Sequence, residues 1–173
     1  MANPLYGQNK ADDAIDFALN ASSGKAYGTV AVAGDNTQYG TASVPLGKSD
    51  LNKWIVNGHT NGFDLWLPSV AKADAGLWLG VRCGVASGGA SIVVTAASGD
   101  LLVGHAFLTK ATDAVANRVY FAADGSDDLI LTLNGTTTGG LIGSQAVLQV
   151  NKDGYWLVLA DLNASGSIVT PFS

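Results

Sequence analysis

Residues 76–85 alternate apolar with small or polar side chains one by one, which is the clearest strand pattern in the chain. Successive side chains of a strand point to opposite sides, so every second residue shares a face. The apolar members of the segment all fall on one face: Leu77, Leu79, Val81, Cys83 and Val85. We predict a strand with this aliphatic face in the core, because a shift of one residue would expose the whole set.

The opposite face of this strand carries Trp78 and Arg82 between glycines. Glycine has no side chain, so the backbone there is open to close approach by another surface. Trp and Arg are frequent anchors of protein interfaces, and we therefore predict Trp78 and Arg82 as subunit-interface residues. Cover by the N-terminal segment of the same chain explains the glycines equally well.

Strand-sized apolar runs recur along the rest of the chain, with Gly, Asp, Asn and Ser between them. Asp-Gly and Asn-Gly pairs supply the positive φ angles that tight turns need. Short strands at this spacing, with no helices between them, predict an all-β sandwich or barrel. No period repeats along the sequence, which argues against a solenoid or a propeller. The predicted strands are residues 26–33, 41–45, 53–57, 63–67, 77–85, 91–97, 101–107, 117–121, 129–133, 145–151, 155–159 and 168–172.

Two of these predicted strands depart from simple alternation. Residues 155–159 are apolar on both faces, which predicts a central strand that is covered on both sides. Residues 168–172 include Pro171, which has no backbone N–H to donate to a neighbouring strand. This last strand is therefore predicted at the edge of a sheet.

Residues 1–24 follow a different pattern from the rest of the chain. Residues 1–9 show no periodicity, which predicts an extended N-terminal arm. Residues 10–20 place their apolar side chains at helical spacing and predict one short N-terminal helix. A helix this short is not stable alone, so it must dock on its own domain or on a neighbour. We predict an arm with a helix over residues 1–24 and a β-sandwich domain over residues 25–173.

The composition indicates a turn-rich β protein that adheres to other molecules. All 14 acidic residues are aspartate, a turn former, and none is glutamate, a helix former. Charged residues make up only 13% of the chain, so much of the surface is predicted to be covered by copies or by a partner. A net charge of −5 without a basic cluster disfavours nucleic acid and anionic membranes as partners. No apolar run is long enough for a transmembrane helix, and the N-terminus lacks the pattern of a secretory signal.

Candidate catalytic and metal-binding residues are few and scattered. His59 and His105 stand in different segments without a second ligand at metal-binding spacing, and His105 is expected to be half-buried. The lone Cys83 is expected to be a small buried side chain. Residues 124–128, Asp-Gly-Ser-Asp-Asp, fit either a Ca²⁺-binding loop or a plain Asp-rich hairpin. We predict no catalytic residue, no metal ion and no cofactor.

Trp54, Trp66 and Trp78 have aliphatic residues at neighbouring positions, so some of these indoles are expected to point outward. An exposed indole on a β-sheet can stack on a sugar ring. A sugar site also needs polar side chains that converge on the same point, and the sequence does not place any. Carbohydrate binding therefore stands as an alternative function.

The chain resembles structural proteins of tailed bacteriophages in two places. Residues 1–13, Met-Ala-Asn-Pro-Leu-Tyr-Gly-Gln-Asn-Lys-Ala-Asp-Asp, look like the start of small structural proteins of such phages, marine cyanophages in particular. The order of turn motifs after residue 60 is similar to that of phage virion proteins that decorate the head or form fibre tips. These motifs are Leu67-Pro68 with Gly76, Gly99-Asp100-Leu101 with Gly104, residues 124–127, residues 139–144, residues 153–156, and Gly166 with Pro171-Phe172.

The resemblance implies a capsid decoration, or cement, protein with no enzymatic activity. Proteins of this type bind the outer surface of the head and stabilise the shell of the major capsid protein. They have a jelly-roll-like β-sandwich core, form trimers, and use an N-terminal arm to grip the shell or a neighbouring copy. The implied partners are thus the major capsid protein and copies of the chain itself as a homotrimer. The implied location is the capsid exterior, after synthesis in the host cytoplasm.

We predict that apolar side chains of the arm bind the capsid. These predicted capsid-binding residues are Leu5, Tyr6, Ile15, Phe17 and Leu19. A component of a tail fibre or baseplate is an alternative within the structural proteins. A carbohydrate-binding module for receptor recognition is the alternative from another class, and it predicts that Trp66 or Trp78 stacks on the glycan.

Overall fold

The computed structural model describes residues 25–26, 29–32, 43–57, 62–88, 91–111 and 118–173. The predicted arm and helix lie outside these residues. So do the five side chains predicted to bind the capsid: Leu5, Tyr6, Ile15, Phe17 and Leu19. Their roles stay predictions, as does the division of the chain after residue 24.

The described residues form twelve strands and two single-turn 3-10 helices, at Lys48–Asp50 and Lys72–Asp74. The regular structure is therefore almost entirely β, which confirms the prediction of an all-β protein. The strands are β1 (Lys25–Ala26), β2 (Thr29–Val32), β3 (Ser43–Pro45), β4 (Lys53–Asn57), β5 (Asp64–Trp66), β6 (Trp78–Cys83), β7 (Ile92–Thr95), β8 (Leu102–Lys110), β9 (Arg118–Asp124), β10 (Ile130–Leu133), β11 (Gln145–Val150) and β12 (Trp156–Ala164). Within the described residues, no helix has the length and apolar character that a membrane crossing requires.

The described strands form two sheets. The large sheet has eight strands in the order β1-β2-β4-β6-β11-β12-β8-β9, and the small sheet has four in the order β10-β7-β5-β3. From β2 to β7 the described strands belong alternately to the large and the small sheet, and neighbours in each sheet run parallel. The lack of a sequence repeat argued against a solenoid, yet the described strands from β2 to β7 follow a coil-like path.

The pairing differs from that of a jelly roll, whose strands are antiparallel. Among the described strands, five pairings are antiparallel and five are parallel. Turn residues mark where a strand ends, whereas its partner is chosen by contacts between distant segments. The described strands therefore do not follow the predicted jelly-roll topology.

Buried side chains from both sheets belong to one hydrophobic cluster. The large sheet contributes the aliphatic face of β6, and Leu79, Val81 and Cys83 are all almost fully buried, as predicted. The small sheet contributes residues such as Leu65 and Ile92. Among the described residues, the largest fully buried side chain is Trp156, at the start of β12. The two sheets thus share a core, and the strand alternation decides which side chains enter it.

Strand β12 lies between β11 and β8, which confirms its predicted central position. Its inward side chains, including Trp156 and Val158, are fully buried. The prediction of cover on both sides is wrong, because Leu159 on the other side is 47% exposed. The predicted strand 168–172 is reduced to a single antiparallel bridge between Phe172 and Leu131 of β10, at the edge of the small sheet.

Candidate functional site

The candidate site is the face of the large sheet that points away from the core. We call it the outer face and define it by the outward side chains of β4, β6, β11, β12, β8 and β9. A row of register partners crosses all six strands in its middle: Trp54, Gly80, Val147, Leu159, His105 and Ala122. This central row is apolar except for the imidazole, and Leu159 is the most exposed of its large aliphatic side chains.

One end of the outer face is occupied by two tryptophans. Trp54 of β4 lies on Gly80 of β6, where a Cβ would overlap its ring carbons. The rings of Trp54 and Trp78 meet edge to face, with centroids 5.9 Å apart. The guanidinium of Arg82 lies 5.1 Å from the centre of the Trp54 ring. Its Nη2 also donates a hydrogen bond to Oε1 of Gln145, at 3.2 Å.

The sequence suggested that the glycine face of β6 is open backbone. In the structure, this face is covered at Gly80. At Gly80 the approaching surface is the indole of Trp54, from the neighbouring strand of the same sheet. This contact was missed because it depends on the parallel register between β4 and β6, which the sequence does not display. The structure places the predicted interface residues Trp78 and Arg82 on the outer face, where each contacts the Trp54 ring. Their role between subunits stays a prediction.

The other end of the outer face carries an aromatic cluster, which consists of His105, Phe107 and Tyr120. The imidazole of His105 stacks on Tyr120 with centroids 5.5 Å apart, and it meets Phe107 edge to face at 5.2 Å. Phe107 and Tyr120 lie 5.6 Å apart. Tyr120 is 56% exposed, so one side of the cluster is open to solvent.

A charged pair lies beside the aromatic cluster. The Arg118 guanidinium sits 4.2 Å from the centre of the Phe107 ring, and its Nη2 lies 3.2 Å from Oδ2 of Asp161. An exposed ion pair of this kind adds little stability, about 0–1 kcal/mol. Its effect on the site is to hold a hydrogen-bond donor and an acceptor next to Tyr120. The sequence did not predict this grouping, because its members come from β8, β9 and β12.

Comparison with protein-family models, with curated proteins and with solved structures returned no match.

The acidic segment predicted as a hairpin or a Ca²⁺ loop lies apart from the central row. Its loop connects β9 of the large sheet to β10 of the small sheet, so it is not a hairpin. Carboxylate oxygens of Asp124, Asp127 and Asp128 lie within 4.8 Å of one another. Asp124 Oδ1 already accepts from the amide and hydroxyl of Ser126, at 2.8 and 2.6 Å. These hydrogen bonds hold the pKa of Asp124 below its usual value.

Carboxylates of this kind are the ligands that Ca²⁺ prefers, yet the loop satisfies them with its own donors. Asp128 Oδ2 accepts from the backbone amide of Asp124 at 2.9 Å, which closes the loop on itself. We therefore describe the segment as a self-bonded crossover loop.

The remaining candidate residues are dispersed. His105 is half-buried, as predicted, and belongs to the aromatic cluster, whereas His59 lies outside the described residues. Cys83 is buried, as predicted, and burial raises the pKa of its thiol to about 11. Trp66 is 46% exposed on the small sheet, away from Trp54 and Trp78.

Asp100 is a buried residue for which no role was predicted. Its Oδ2 accepts a hydrogen bond from the backbone amide of Val70 at 2.9 Å. The carboxylate thereby ties the segment after β5 to the turn between β7 and β8. The only sequence signal for this contact was the Gly99-Asp100 turn, and we assign Asp100 a structural role.

Proposed function

We propose that this chain is a non-enzymatic virion structural protein, specifically a capsid decoration protein. It binds the outer surface of the head and stabilises the shell of the major capsid protein. The observation that carries the proposal is the outer face, where Leu159 and Tyr120 are exposed within a broad sheet surface. A flat surface with exposed aliphatic and aromatic side chains suits contact with another macromolecule. The turn motifs that resemble phage virion proteins support the same function.

In this proposal the N-terminal part of the chain binds the capsid, and the rest forms the folded body of the protein. Residues 1–24 are the docking arm and bury Leu5, Tyr6, Ile15, Phe17 and Leu19 on the capsid. Each large side chain contributes roughly 1.5–3 kcal/mol when fully buried. Residues 25–173 form a β-sandwich in which the two sheets pack over their shared core. Trimers repeated over the shell add avidity, because one bound arm holds the others near their sites.

Co-sedimentation with undecorated heads tests the proposal. The full chain is expected to sediment with the heads, and a chain without residues 1–20 is expected to stay in solution. Replacing Ile15 and Leu19 together by serine is expected to weaken binding, while serine at Gln8 and Asn9 serves as the matched control. Undiminished binding of the shortened chain would rule out the arm as the anchor, and a full chain that ignores heads would rule out decoration.

The same protein could occupy the tail rather than the head. Electron microscopy of virions with a gold-labelled antibody against the chain separates these locations. Label over the head surface is expected for a decoration protein. Label confined to the fibres or baseplate would replace the decoration proposal by the tail-component alternative.

The aromatic cluster favours glycan binding as a second candidate function. Tyr120 offers an exposed ring, and the Arg118–Asp161 pair supplies polar groups beside it. A glycan array probed with the wild-type chain should then show binding that Tyr120→Ala abolishes and Trp66→Ala leaves intact. If Trp66→Ala or Trp78→Ala abolishes glycan binding instead, the glycan site lies at that tryptophan and not at Tyr120. A wild-type chain that binds no glycan would exclude this candidate.

A further inference from the structure

We infer that the outer face is the surface through which copies of this chain bind one another. The inference rests on the proposed structural function and deepens it by naming the partner of the outer face as a second copy. Three properties of the described face support it: the residue types that it collects, the balance of its charges, and its size.

The outer face collects the residue types that dominate protein interfaces. Arg82 and Arg118 are the only arginines of the chain, and both lie on this face. Trp78 lies next to Trp54 at one end of the face, and Tyr120 lies in the aromatic cluster at the other end. Trp, Tyr and Arg are the side chains most often found as binding hot spots, because each combines a large contact area with a polar group. Their concentration on one face marks it as an interface.

The charges of the outer face favour a copy of the same chain as the partner. The chain carries a net charge of −5, so two copies repel each other over most relative orientations. The charged outward residues of the six described strands are Arg82, Arg118, Asp124 and Asp161. They sum to zero and include both signs. A second copy can therefore approach this face without net repulsion and can present opposite charges across the contact.

The size of the outer face matches the needs of a stable complex. Six strands at about 4.8 Å spacing are about 29 Å wide, and strands of about seven residues are about 23 Å long. The flat projection is on the order of 650 Å². Stable complexes bury roughly 600–1,000 Å² on each partner. The central row, from Trp54 to Ala122, places the apolar part in the middle of this area. Arg82, Asp161 and Arg118 lie on one side of this row and Asp124 lies on the other.

Molar mass by size exclusion with light scattering tests the inference on the purified full-length chain. The wild-type protein is expected at a multiple of 17.6 kDa, and Leu159→Arg is expected to shift it to 17.6 kDa. Val169→Arg is the matched control, because Val169 is equally exposed outside the outer face. A wild-type protein at 17.6 kDa at all concentrations overturns the inference. The inference is also overturned if the Val169→Arg variant becomes a monomer while the Leu159→Arg variant stays an oligomer.

Hydroxyl-radical labelling of the wild-type chain gives a test that needs no variant. Labelling of Tyr120 and Leu159 is expected to fall as protein concentration rises, while labelling of Trp66 and Val169 stays constant. If Tyr120 and Leu159 are already protected from labelling when the chain is a monomer, residues of the same chain cover the outer face. The inference is then wrong. Protection of Trp66 alone would move the interface to the small sheet.

These measurements use no capsid, so they separate the inference from the proposed function. If the chain self-associates through the outer face but does not bind heads, the decoration proposal is refuted and the inference stands. A monomer that binds heads keeps decoration and refutes the inference.

Discussion

At the scale of single residues, the outer face depends on a glycine that accommodates an indole. Trp54 lies over Gly80, and the ring then contacts Trp78 and Arg82. A side chain at residue 80 would push the indole away from the sheet. The glycine is thus required by close packing, and its backbone conformation is an ordinary one for a strand.

Replacing Gly80 by alanine should destabilise the protein by about 1–3 kcal/mol, because an added methyl overpacks a filled site. The free energy of unfolding in urea measures the loss, and the tryptophan emission spectrum should change with it. Gly88→Ala is the matched control, since a Cβ at Gly88 meets nothing within 4 Å. Equal stability of the two variants would contradict the position of Trp54.

Cys83 is almost fully buried in the core. Burial raises the pKa of its thiol to about 11, so the reactive thiolate is scarce at neutral pH. Iodoacetamide at pH about 8 should leave the native protein unmodified and should alkylate it in urea, as mass spectrometry would show. Rapid alkylation of the native chain would mean that Cys83 is accessible.

The same pKa difference also predicts how stability depends on alkaline pH. In the unfolded chain the thiol ionises near its ordinary pKa of about 8.5. The stability that the folded chain gains by keeping the Cys83 thiol protonated is therefore fully present below that pH. It is lost as the pH rises toward about 11. Cys83→Ala should flatten the decline in melting temperature over this window.

At the scale of elements, a salt bridge connects the two 3-10 turns. Asp74 Oδ2 accepts from Lys48 Nζ at 2.7 Å and from the backbone amide of Ala71 at 2.8 Å. Each turn precedes a strand of the large sheet, β4 after Lys48–Asp50 and β6 after Lys72–Asp74. The bridge thus links the entries of two parallel neighbours.

The hydrogen bond from Lys48, then that from Ala71, lowers the pKa of Asp74. A lowered pKa in the folded state stabilises the protein above the ordinary value of about 3.9, and this contribution is lost as pH falls through the lowered value. As the pH is lowered from about 5 to about 3, the melting temperature of Asp74→Asn should therefore fall less than that of the wild type. Asp127→Asn controls for loss of one negative charge, and an unchanged acid profile of Asp74→Asn would contradict the salt bridge.

At the scale of the whole molecule, the two described sheets share one hydrophobic core. Trp156 and Leu148 of the large sheet belong to the same cluster as Leu65 and Ile92 of the small sheet. Neither sheet can separate without exposing that cluster to water. The outward side chains of the outer face take no part in this core.

Unfolding of the described domain should therefore be a single transition. Tryptophan fluorescence, which includes the buried Trp156, and far-UV circular dichroism should give the same midpoint in urea. Leu159→Arg serves as a control, because self-association would make the midpoint depend on protein concentration. Two separated transitions would contradict a core shared by both sheets.

Local patterns predicted the strands well wherever one face is buried. β4 matches its predicted bounds, residues 53–57, and the aliphatic face of β6 is in the core. β8, β9 and β12 extend beyond their predicted ends, because pairing with neighbours continues through polar residues such as Asp161 and Thr109. Hydrophobic alternation cannot detect that extension.

The order of apolar and turn residues was enough to establish an all-β chain, most of its strands and its main core positions. These properties follow from forces between residues that are near in the chain. The pairing order, the contact of Trp54 with Gly80 and the grouping of Arg118, Tyr120 and Asp161 required the folded chain. Each depends on register between distant strands, which is set by the combined packing of the whole core and leaves no periodic trace in the sequence.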